Sequence, residues 1–393
     1  MEKSLVSGAS IAGPAVAYWL QRYGFTVTVV EHAQALRGGG YPIDVRGTAL
    51  DVVERMGVYP RLRAAHVDTR RLTFFDVDGA PIVSLKPQAV VGGAEGRDIE
   101  VRRGDLAAAL YDATRDDVTY RFGDSIEALD EDADGVEVTF RSGLRRRFDL
   151  VIGADGLHSR TRALAFGPEE QFHRYLGYCF AGFTMPNPLG LSHEGVMWNA
   201  PGRAAALYAV GDHPQVHGFL NFALPEPPFA TFRDPAAQRE LVAAVFADDG
   251  WEVPDMVRAM RTADDLFFDV ISQIRMPAWS RGRVALVGDA AYAPSFLTGQ
   301  GSSLALVGAY MLAGALATAR DHGTAFADYE RGTRGFVEQN QALVAEGDAL
   351  LFPTTVEALA RRDALLRQGS VTPQAAGRPE HSALTLPAFA VAA

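Results

Sequence analysis

The sequence predicts an α/β fold in which a Rossmann-like domain with a β-meander is joined to a second domain built on an antiparallel sheet and followed by C-terminal helices. Three observations predict this fold. The chain opens with a strand, a small-residue turn, a helix and a second strand over residues 4–31. Residues 172–275 instead alternate apolar and polar side chains in short runs, as antiparallel strands do. After residue 300 the apolar pattern becomes helical.

Composition narrows the kinds of protein that this chain can be. The 393 residues include 37 Lys and Arg against 48 Asp and Glu, a formal net charge of -11. This balance argues against nucleic acid as a partner, because phosphate binding needs concentrated positive charge. Cys179 is the single cysteine, so no intramolecular disulfide can form. The uncharged run 304–319 is shorter than the roughly 20 residues of a membrane span, so we expect a cytoplasmic protein without stable membrane insertion.

The turn after the first strand carries a dinucleotide-binding fingerprint. It reads Gly-Ala-Ser-Ile-Ala-Gly over Gly8–Gly13, and the second strand, 26–30, leads into Glu31. Small residues let the backbone approach a pyrophosphate at the helix N-terminus, and the acid can accept hydrogen bonds from a ribose hydroxyl. The central glycine of the usual Gly-x-Gly-x-x-Gly is Ser10 here, which is small enough to replace it.

A glycine-rich loop with two arginines, Arg37 and Arg46, spans Arg37–Gly47 and leads into a helical stretch that ends at Met56. The loop is either a flexible connector or a mobile segment whose arginines contact a cofactor. The sequence leaves both interpretations open.

The chain then leaves the first domain and returns to it. Strand-like runs at 72–75 and 82–85 flank an Asp-Gly pair and predict a hairpin. Residues 100–106 are predicted to open a helix that brings the chain back. Strands at 118–122, 126–129, 136–140 and 146–152 then predict a β-meander on the nucleotide-binding sheet.

A second motif follows the last of these strands. The strand turns sharply at Asp155-Gly156 into a helix start that carries Ser159 and Arg162, giving Asp-Gly-x-x-Ser-x-x-Arg.

The antiparallel region supplies candidate substrate contacts. In the alternating run Val216–Phe222, the side chains of His217, Phe219 and Asn221 should share one face of a strand. His217 and Asn221 are each either substrate contacts or structural residues. No metal site is predicted, because His213 and His217 lie on a predicted strand and not on a helix that would present both to one ion. One helix, about 238–247, interrupts the strands.

A third motif begins where an apolar strand, 283–287, ends in Gly288-Asp289. A loop follows, and Gly299-Gln300-Gly301 then opens an uncharged helix. A strand, a contacting loop and a buried helix are typical of a cofactor site. One further helix is predicted over 326–351, and the segment from residue 369 is expected to be loosely attached because prolines interrupt it.

With these three motifs in this order, the chain resembles the FAD-dependent aromatic hydroxylases, the class A flavoprotein monooxygenases typified by p-hydroxybenzoate hydroxylase. It is especially similar to the tetracycline-modifying and polyketide-tailoring monooxygenases, over residues 4 to 305. The resemblance implies FAD as cofactor, NADPH or NADH as transient reductant, and O2. It implies insertion of one oxygen, most simply hydroxylation through a C4a-hydroperoxyflavin, into an aromatic or polyketide-like small molecule in antibiotic tailoring or inactivation.

The resemblance also implies roles for individual residues. Glu31 would bind the adenosine ribose, Arg103 the flavin, Asp289 the ribityl chain, and Asp155 would support both FAD and the nicotinamide cofactor. The implied cofactor contacts are Gly8, Ser10, Ile11, Ala12, Gly13, Glu31, His32, Arg37, Arg46, Arg103, Asp155, Gly156, Asp289, Gly299, Gln300, Gly301, Ser302 and Ser303. The candidate substrate contacts are His217, Asn221, Met185 and Phe296. No catalytic side chain is assigned, because the flavin carries the chemistry.

The chain departs from the family pattern near the third motif. Tyr292 stands where the family usually has a histidine, and Phe296 where it usually has a proline, so we expect the flavin edge to differ. Two alternatives stay open, a halogenase or reductase on the same fold and a non-catalytic FAD-containing ligand-binding protein. The predicted domains are an FAD-binding domain (1–71, 100–171, 278–325), a substrate domain (72–99, 172–277) and C-terminal helices with a tail (326–393).

Overall fold

The computed structural model describes residues 2–36, 38, 40–94, 96–232, 234–368 and 377–389. Its strands, in chain order, are β1 Lys3–Ser7, β2 Thr26–Glu31, β3 Pro42–Val45, β4 Arg71–Phe75, β5 Pro81–Leu85, β6 Ile99–Arg102, β7 Thr119–Phe122, β8 Ile126–Asp132, β9 Gly135–Phe140, β10 Arg145–Phe148, β11 Leu150–Gly153, β12 His173–Pro186, β13 Glu194–Ala200, β14 Arg203–Ala209, β15 Gln215–Ala223, β16 Phe267–Ile274, β17 Ser280–Arg281 and β18 Val284–Leu286.

The helices lie mainly at the two ends of the chain and after each cofactor motif. They are α1 Ala12–Arg22, α2 Thr48–Arg55, α3 Tyr59–Ala64, α4 Pro87–Val91, α5 Arg103–Asp112, α6 Arg160–Phe166, α7 Pro235–Val245, α8 Val253–Thr262, α9 Asp289–Tyr292, α10 Gly301–Thr318, α11 His322–Ala342, α12 Val344–Leu351 and α13 Val356–Arg367.

Side-chain caps fix several helix starts. Asp234 accepts hydrogen bonds from the N–H groups of the first turn of α7, Asp321 accepts one in α11, and Thr355 accepts one in α13. Each cap satisfies a backbone donor that the helix itself leaves unpaired.

The predicted βαβ unit lies at the centre of a six-stranded sheet with the order β17-β18-β11-β1-β2-β7. All neighbours in this sheet run parallel except β17 and β18. The parallel strands therefore end at one edge, where the turns after β1, β11 and β18 carry the three sequence motifs. The three motifs therefore meet at one edge of this sheet, although the sequence predicts the strand of the second motif as part of the meander.

The predicted meander is only partly correct. The run expected as one strand over 146–152 divides at Asp149, and its two halves join different sheets, because Asp149 turns the chain and bonds with the backbone N–H of Lys3. β10 joins β9 and β8 in a three-stranded sheet, whereas β11 joins the six-stranded sheet. β7, which we expected in the meander, forms the edge of the six-stranded sheet.

A two-stranded sheet of β3 and β6 replaces elements that the sequence predicts as loop and helix. Residues 100–102, expected at the start of a helix, are a strand, and α5 begins only at Arg103. Ile43, Val45, Ile99 and Val101 of this pair pack into the core cluster around α1, α2 and α10. That alternation leaves the other face of the pair to point at the seven-stranded sheet.

The seven-stranded sheet has the order β16-β12-β15-β14-β13-β4-β5, with the predicted hairpin of β4 and β5 at its edge. One face packs against α7 and α8 through a core that includes Phe222, Phe246 and Met256. The opposite face points at the β3–β6 pair and at the Gly299–Gly301 turn. We call the space between these elements the cleft.

α10 is the central helix of the first domain. It packs between α1, α2 and α11, and by length and composition it could cross a membrane, but 72% of it is buried inside the protein. The predicted long helix 326–351 is two helices, α11 and α12, and α13 follows them.

The segment 377–389, which we call the C-terminal strap, is firmly attached, so the expectation of a loose terminus is wrong for these residues. Asn340 of α11 and Thr48 of α2 donate hydrogen bonds to strap carbonyls, and Tyr310 of α10 donates one to the carbonyl of Pro387. Leu386 is buried in the main core, and the ring of Phe389 packs against Tyr310. The strap therefore covers the helices that flank the cofactor motifs.

We predict that Leu386→Ala lowers the free energy of unfolding by about 2–5 kcal/mol, because it opens a cavity in the main core. The matched control is Leu365→Ala on α13, whose side chain is 47% exposed, and which should cost less than about 0.5 kcal/mol. Urea denaturation of both variants measures the difference. Equal effects would mean that the strap contributes little to the core.

Candidate active site

The turn between β1 and α1 brings three backbone segments unusually close together. A Cβ atom on Gly13 would lie 1.8 Å from the carbonyl oxygen of Gly8, and a Cβ atom on Gly8 would lie 2.4 Å from that of Ala154. Only glycine fits at either position, and Gly8 also has a φ of +104°. Ser10 and Ile11 remain partly open at the turn, and Ala12 begins α1.

Glu31 lies at the end of β2 beside this turn. Its carboxylate accepts hydrogen bonds from the N–H groups of Ala9 (2.8 Å) and Ala33 (2.9 Å), and it pairs with the largely exposed ring of His32 at 2.8 Å. Glu31 and His32 therefore lie at the edge where the sequence predicts ribose contacts. Arg37, the other cofactor contact predicted in this stretch, lies outside the described residues.

Arg103 links the fingerprint turn to the third motif. Its Nη2 donates to the Ser10 hydroxyl at 2.8 Å, and its charge also acts on Asp289 and Tyr41. Burial raises the pKa of Asp289 and that of Tyr41, and the positive charge of Arg103 opposes both shifts. The Asp289 side chain is accessible to solvent, yet protein atoms surround it on most sides. It therefore lines the cleft and does not lie on the outer surface.

The second motif has a mainly structural arrangement. Asp155 accepts hydrogen bonds from the hydroxyl of Ser159 (2.5 Å) and from the N–H and hydroxyl of Thr161 (2.9 Å each). Ser159 in turn caps α6. Gly156, with a φ of +83°, makes the turn between β11 and this cap. The structure thus shows that this carboxylate holds its own loop in shape, and its predicted role toward both cofactors stays a prediction.

Arg162 joins the second motif to the third. The side chain is fully buried, and it donates to the backbone oxygens of Ala290 (3.0 Å) and Leu157 (2.7 Å) and to Glu169 Oε2 (2.6 Å). Because Ala290 directly follows Asp289, this guanidinium fixes the turn that presents the Asp289 carboxylate.

His158, also in the second motif, connects this turn to the seven-stranded sheet. Its Nδ1 lies 2.7 Å from Glu169 and its Nε2 lies 3.1 Å from Asp269 of β16. The two carboxylates raise the pKa of His158 to about 10. The ring is therefore a cation at neutral pH that bridges two sheets.

The turn Gly299–Gly301 opens α10 toward the cleft. Gln300 is completely buried, and no described residue offers a hydrogen-bond partner to its Oε1. A Cβ atom on Gly301 would lie 3.8 Å from Asp289 Oδ1, so the two halves of the third motif meet here. Ser302 lies in the first turn of α10, and the hydroxyl of Ser303 accepts a hydrogen bond from the backbone N–H of Arg46 (3.1 Å).

Arg46 lies directly against this turn. Its side chain is almost fully buried, pairs with Asp44 Oδ1 at 2.5 Å and lies 3.9 Å from Asp98 Oδ2. Its Nη1 would lie 3.3 Å from a Cβ atom on Gly299. Both interpretations of the glycine-rich loop expected a flexible or mobile segment, whereas Arg46 is buried and ion-paired; its place against the Gly299 turn is compatible with the predicted cofactor contact.

The two departures from the family pattern have different surroundings. The Tyr292 hydroxyl is buried in the core, where it accepts a hydrogen bond from Tyr329 (3.0 Å) and lies against Gly308, about two turns along α10. Phe296, in contrast, is 46% exposed and packs on Phe180 of β12 with ring centroids 5.3 Å apart. Only the second departure faces the cleft.

The seven-stranded sheet decides which of the predicted substrate contacts on its strands face the cleft. His217, Phe219 and Asn221 share the cleft face, as the alternation predicts. Phe219 contacts the Tyr41 ring with centroids 5.9 Å apart. Met185 lies on the opposite face, buried in the core under α8, so it does not join the other three predicted contacts.

Two cleft residues, Glu100 and Tyr208, are not predicted as site residues from the sequence. Glu100 lies within the run that we predicted as helix, and Tyr208 lies on a strand whose sequence, Arg-Ala-Ala-Ala-Leu-Tyr-Ala, has no chemical motif. The one available signal was the position of Glu100, three residues before Arg103. Within the described part of the chain, no group of three or more His, Cys, Asp and Glu side chains could hold a metal ion.

These observations fit the FAD that the resemblance implies. The glycine turn can accept a pyrophosphate, Asp289 places a carboxylate at the cleft, and the buried Oε1 of Gln300 has no partner among the described residues. α10 directs backbone N–H groups and a partial positive charge to the same place.

Comparison with known proteins agrees with this fit. A family model described as FAD binding domain matches residues 2–339. A flavin-dependent monooxygenase from an unknown prokaryotic organism is 41% identical over 87% of this chain and 88% of its own length. An uncharacterized protein of Mycobacterium tuberculosis is 46% identical over 88% of this chain and 93% of its own. The crystal structure of tetracycline destructase Tet(55) is 36% identical, with a TM-score of 0.85 and 99% of each chain covered.

We predict that Arg162→Met destabilises the protein by roughly 3–5 kcal/mol and lowers its FAD content, because it leaves buried carbonyls and Glu169 without their donor. Arg160→Met is the matched control, since Arg160 is half-exposed and lies outside the core. Thermal unfolding and flavin absorbance per mole of protein measure both effects. Wild-type flavin content in the Arg162 variant would contradict the linking role.

A second prediction concerns Asp289, which should matter for the cofactor more than for the fold. Because its carboxylate lines the cleft, Asp289→Ala should weaken FAD binding by about 10-fold or more, the effect of losing charge-assisted hydrogen bonds. The melting temperature of the FAD-free protein should stay unchanged. Fluorescence titration with FAD tests this, with Asp264→Ala on the exposed surface as control.

Proposed function

The chain belongs to the FAD-binding-domain family and is an FAD-dependent monooxygenase, and we propose that it uses NADPH or NADH with O2 to hydroxylate a polycyclic aromatic or polyketide-like molecule of the tetracycline kind. Bound FAD supplies the redox chemistry that activates oxygen. The protein must hold that cofactor, bind the substrate beside it and exclude water.

One observation carries the substrate class, an aromatic surface at the cleft. Phe296 and Phe267 are exposed by 46% and 42%, and both pack on Phe180, with ring centroids 5.3 and 5.4 Å apart. The buried ring of Phe352 packs against Phe296 and supports this surface from the interior. Flat apolar rings at the edge of a cofactor cleft suit a flat, fused-ring substrate, since stacked aromatic groups gain energy beyond the area that they bury.

The remaining cleft residues suit the polar groups of such a molecule. Asp44 and Arg46 lie against the Gly299 turn, Tyr41 contacts Phe219 of the sheet, and His217 lies on the same face of the sheet as Phe219. Burial lowers the pKa of His217, so the neutral ring can both donate and accept hydrogen bonds. The similarity to tetracycline destructase Tet(55) supports the same class of substrate.

The proposal predicts oxygen transfer to a tetracycline. Purified protein with FAD should oxidise NADPH or NADH faster when tetracycline is added, and mass spectrometry should show a product that has gained one oxygen atom. Phe296→Ala should raise the KM for tetracycline roughly 10-fold through the lost ring contact. Phe229→Ala is the control, because Phe229 is 57% exposed and lies outside this surface. Flavin without any tetracycline-stimulated oxidation would instead favour a ligand-binding protein.

A further inference from the structure

Three side chains form a closed hydrogen-bonded ring at the cleft, outside the predicted contacts. They are Thr69, in the connection between α3 and β4, Glu100 of β6 and Tyr208 of β14. The Tyr208 hydroxyl donates to Glu100 Oε1 (2.6 Å), and the Thr69 hydroxyl donates to Glu100 Oε2 (2.7 Å). The two hydroxyls are also in contact with each other. We call these residues the Glu100 ring.

The Glu100 ring has more contacts than hydroxyl protons. Thr69 and Tyr208 each bring one proton, and an ionised carboxylate brings none. A full set of hydrogen bonds across all three contacts therefore needs one more proton, which only a protonated Glu100 can supply. The ring thus has two states that differ by one proton.

The surroundings of Glu100 place these states close in energy. Asp44 lies directly opposite Glu100 in the β3–β6 pair, and Arg46 pairs with Asp44. Burial, with the charge of Asp44, raises the pKa of Glu100 to about 7, while Tyr208, Thr69 and Arg46 oppose the rise. The only other titratable side chain in contact with Glu100 among the described hydrogen bonds is His66, whose Nδ1 lies 3.1 Å from its backbone.

The Glu100 ring also lies on the cleft side of the seven-stranded sheet, near the Gly299 turn. Tyr208 is the cross-strand partner of His217 on the cleft face of the seven-stranded sheet. Asp44, opposite Glu100, has its Oδ2 3.5 Å from where a Cβ atom on Gly299 would be. The ring therefore borders the space between the sheet and the turn that opens α10.

We propose that Glu100, acting through the Tyr208 hydroxyl, accepts the proton of an acidic hydroxyl on the substrate. The inference rests on the proposed function, because it needs a phenolic or enolic substrate. The substrate O–H bond breaks and its proton passes to the Tyr208 oxygen, while the Tyr208 proton passes to Glu100 Oε1. The substrate keeps the electron pair, so that its neighbouring ring carbons become electron-rich and ready for oxygen transfer. No electrons are gained or lost in this step.

The test compares wild type with Glu100→Gln in the full chain loaded with FAD. In the wild type, kcat/KM for tetracycline should rise with pH up to about 7, because Glu100 must be ionised to accept a proton, and then level off. In Glu100→Gln this inflection should disappear and the rate at pH 7.5 should fall roughly 100-fold, as for the loss of a general base. An unchanged pH profile in a folded, flavin-loaded variant would overturn the proposal.

Thr69→Val separates a proton acceptor from a structural residue. This variant keeps the Glu100 carboxyl but removes a hydroxyl that stabilises its charged form, so the inflection should move to higher pH without disappearing. A purely structural role would change the rates or the stability of both variants without this ordered shift. Thermal midpoints and flavin content verify that both variants are folded.

A measurement without turnover separates this inference from the proposed function. Tetracycline changes its absorbance when it ionises, so its ionisation can be followed while it is bound to the oxidised enzyme without any reductant. Tetracycline should ionise at higher pH on the wild type than on Glu100→Gln, because the negative charge that Glu100 carries once it has ionised opposes a second negative charge on a hydroxyl coupled to it. If neither protein oxidises tetracycline but this difference is present, only the proposed function fails. If tetracycline is oxidised and the difference is absent, only the role of Glu100 fails.

Discussion

The architecture of the site depends on one buried guanidinium, that of Arg162. It is enclosed in the protein and holds the carbonyls of Leu157 and Ala290 together with the carboxylate of Glu169. Two turns that are far apart in sequence are thereby held in one arrangement at the edge of the parallel sheet. A buried cation is costly unless all its partners are in place, so the second and third motifs can form only together. The same Glu169 also holds His158, which extends this arrangement to the seven-stranded sheet.

The residues that meet at the edge of the parallel sheet could be predicted as one candidate site because they belong to short-range patterns. Gly8, Gly13 and Glu31 stand at fixed offsets around one helix, and Asp289 follows a strand directly. Each pattern depends only on the conformation of a short stretch of chain, which the order of residues in that stretch largely determines. The assignment of the chain to FAD-dependent monooxygenases rested on these patterns and is confirmed.

What the sequence missed depends on contacts between distant segments. The strand at residues 99–102 exists because it pairs with 42–45, and nothing in either stretch reveals this pairing. Met185 could be placed on a strand, but the face that it occupies depends on which side α7 and α8 cover. Tyr292 stands in a cofactor motif, yet its ring enters the core because Gly308 leaves room for it on α10. In each case tertiary packing, and not propensity, decides the outcome.

The C-terminal strap also determines what a protease could do to the protein. Tyr310 of α10 donates a hydrogen bond to the carbonyl of Pro387, and its ring packs against Phe389 and against Trp19 of α1. Leu386 is buried in the same core, and a Cβ atom on Gly314 of α10 would meet the Phe389 ring. Proteolytic loss of residues 377–389 would therefore expose apolar faces of the helices behind the cofactor motifs, and an exposed apolar patch of this kind favours aggregation.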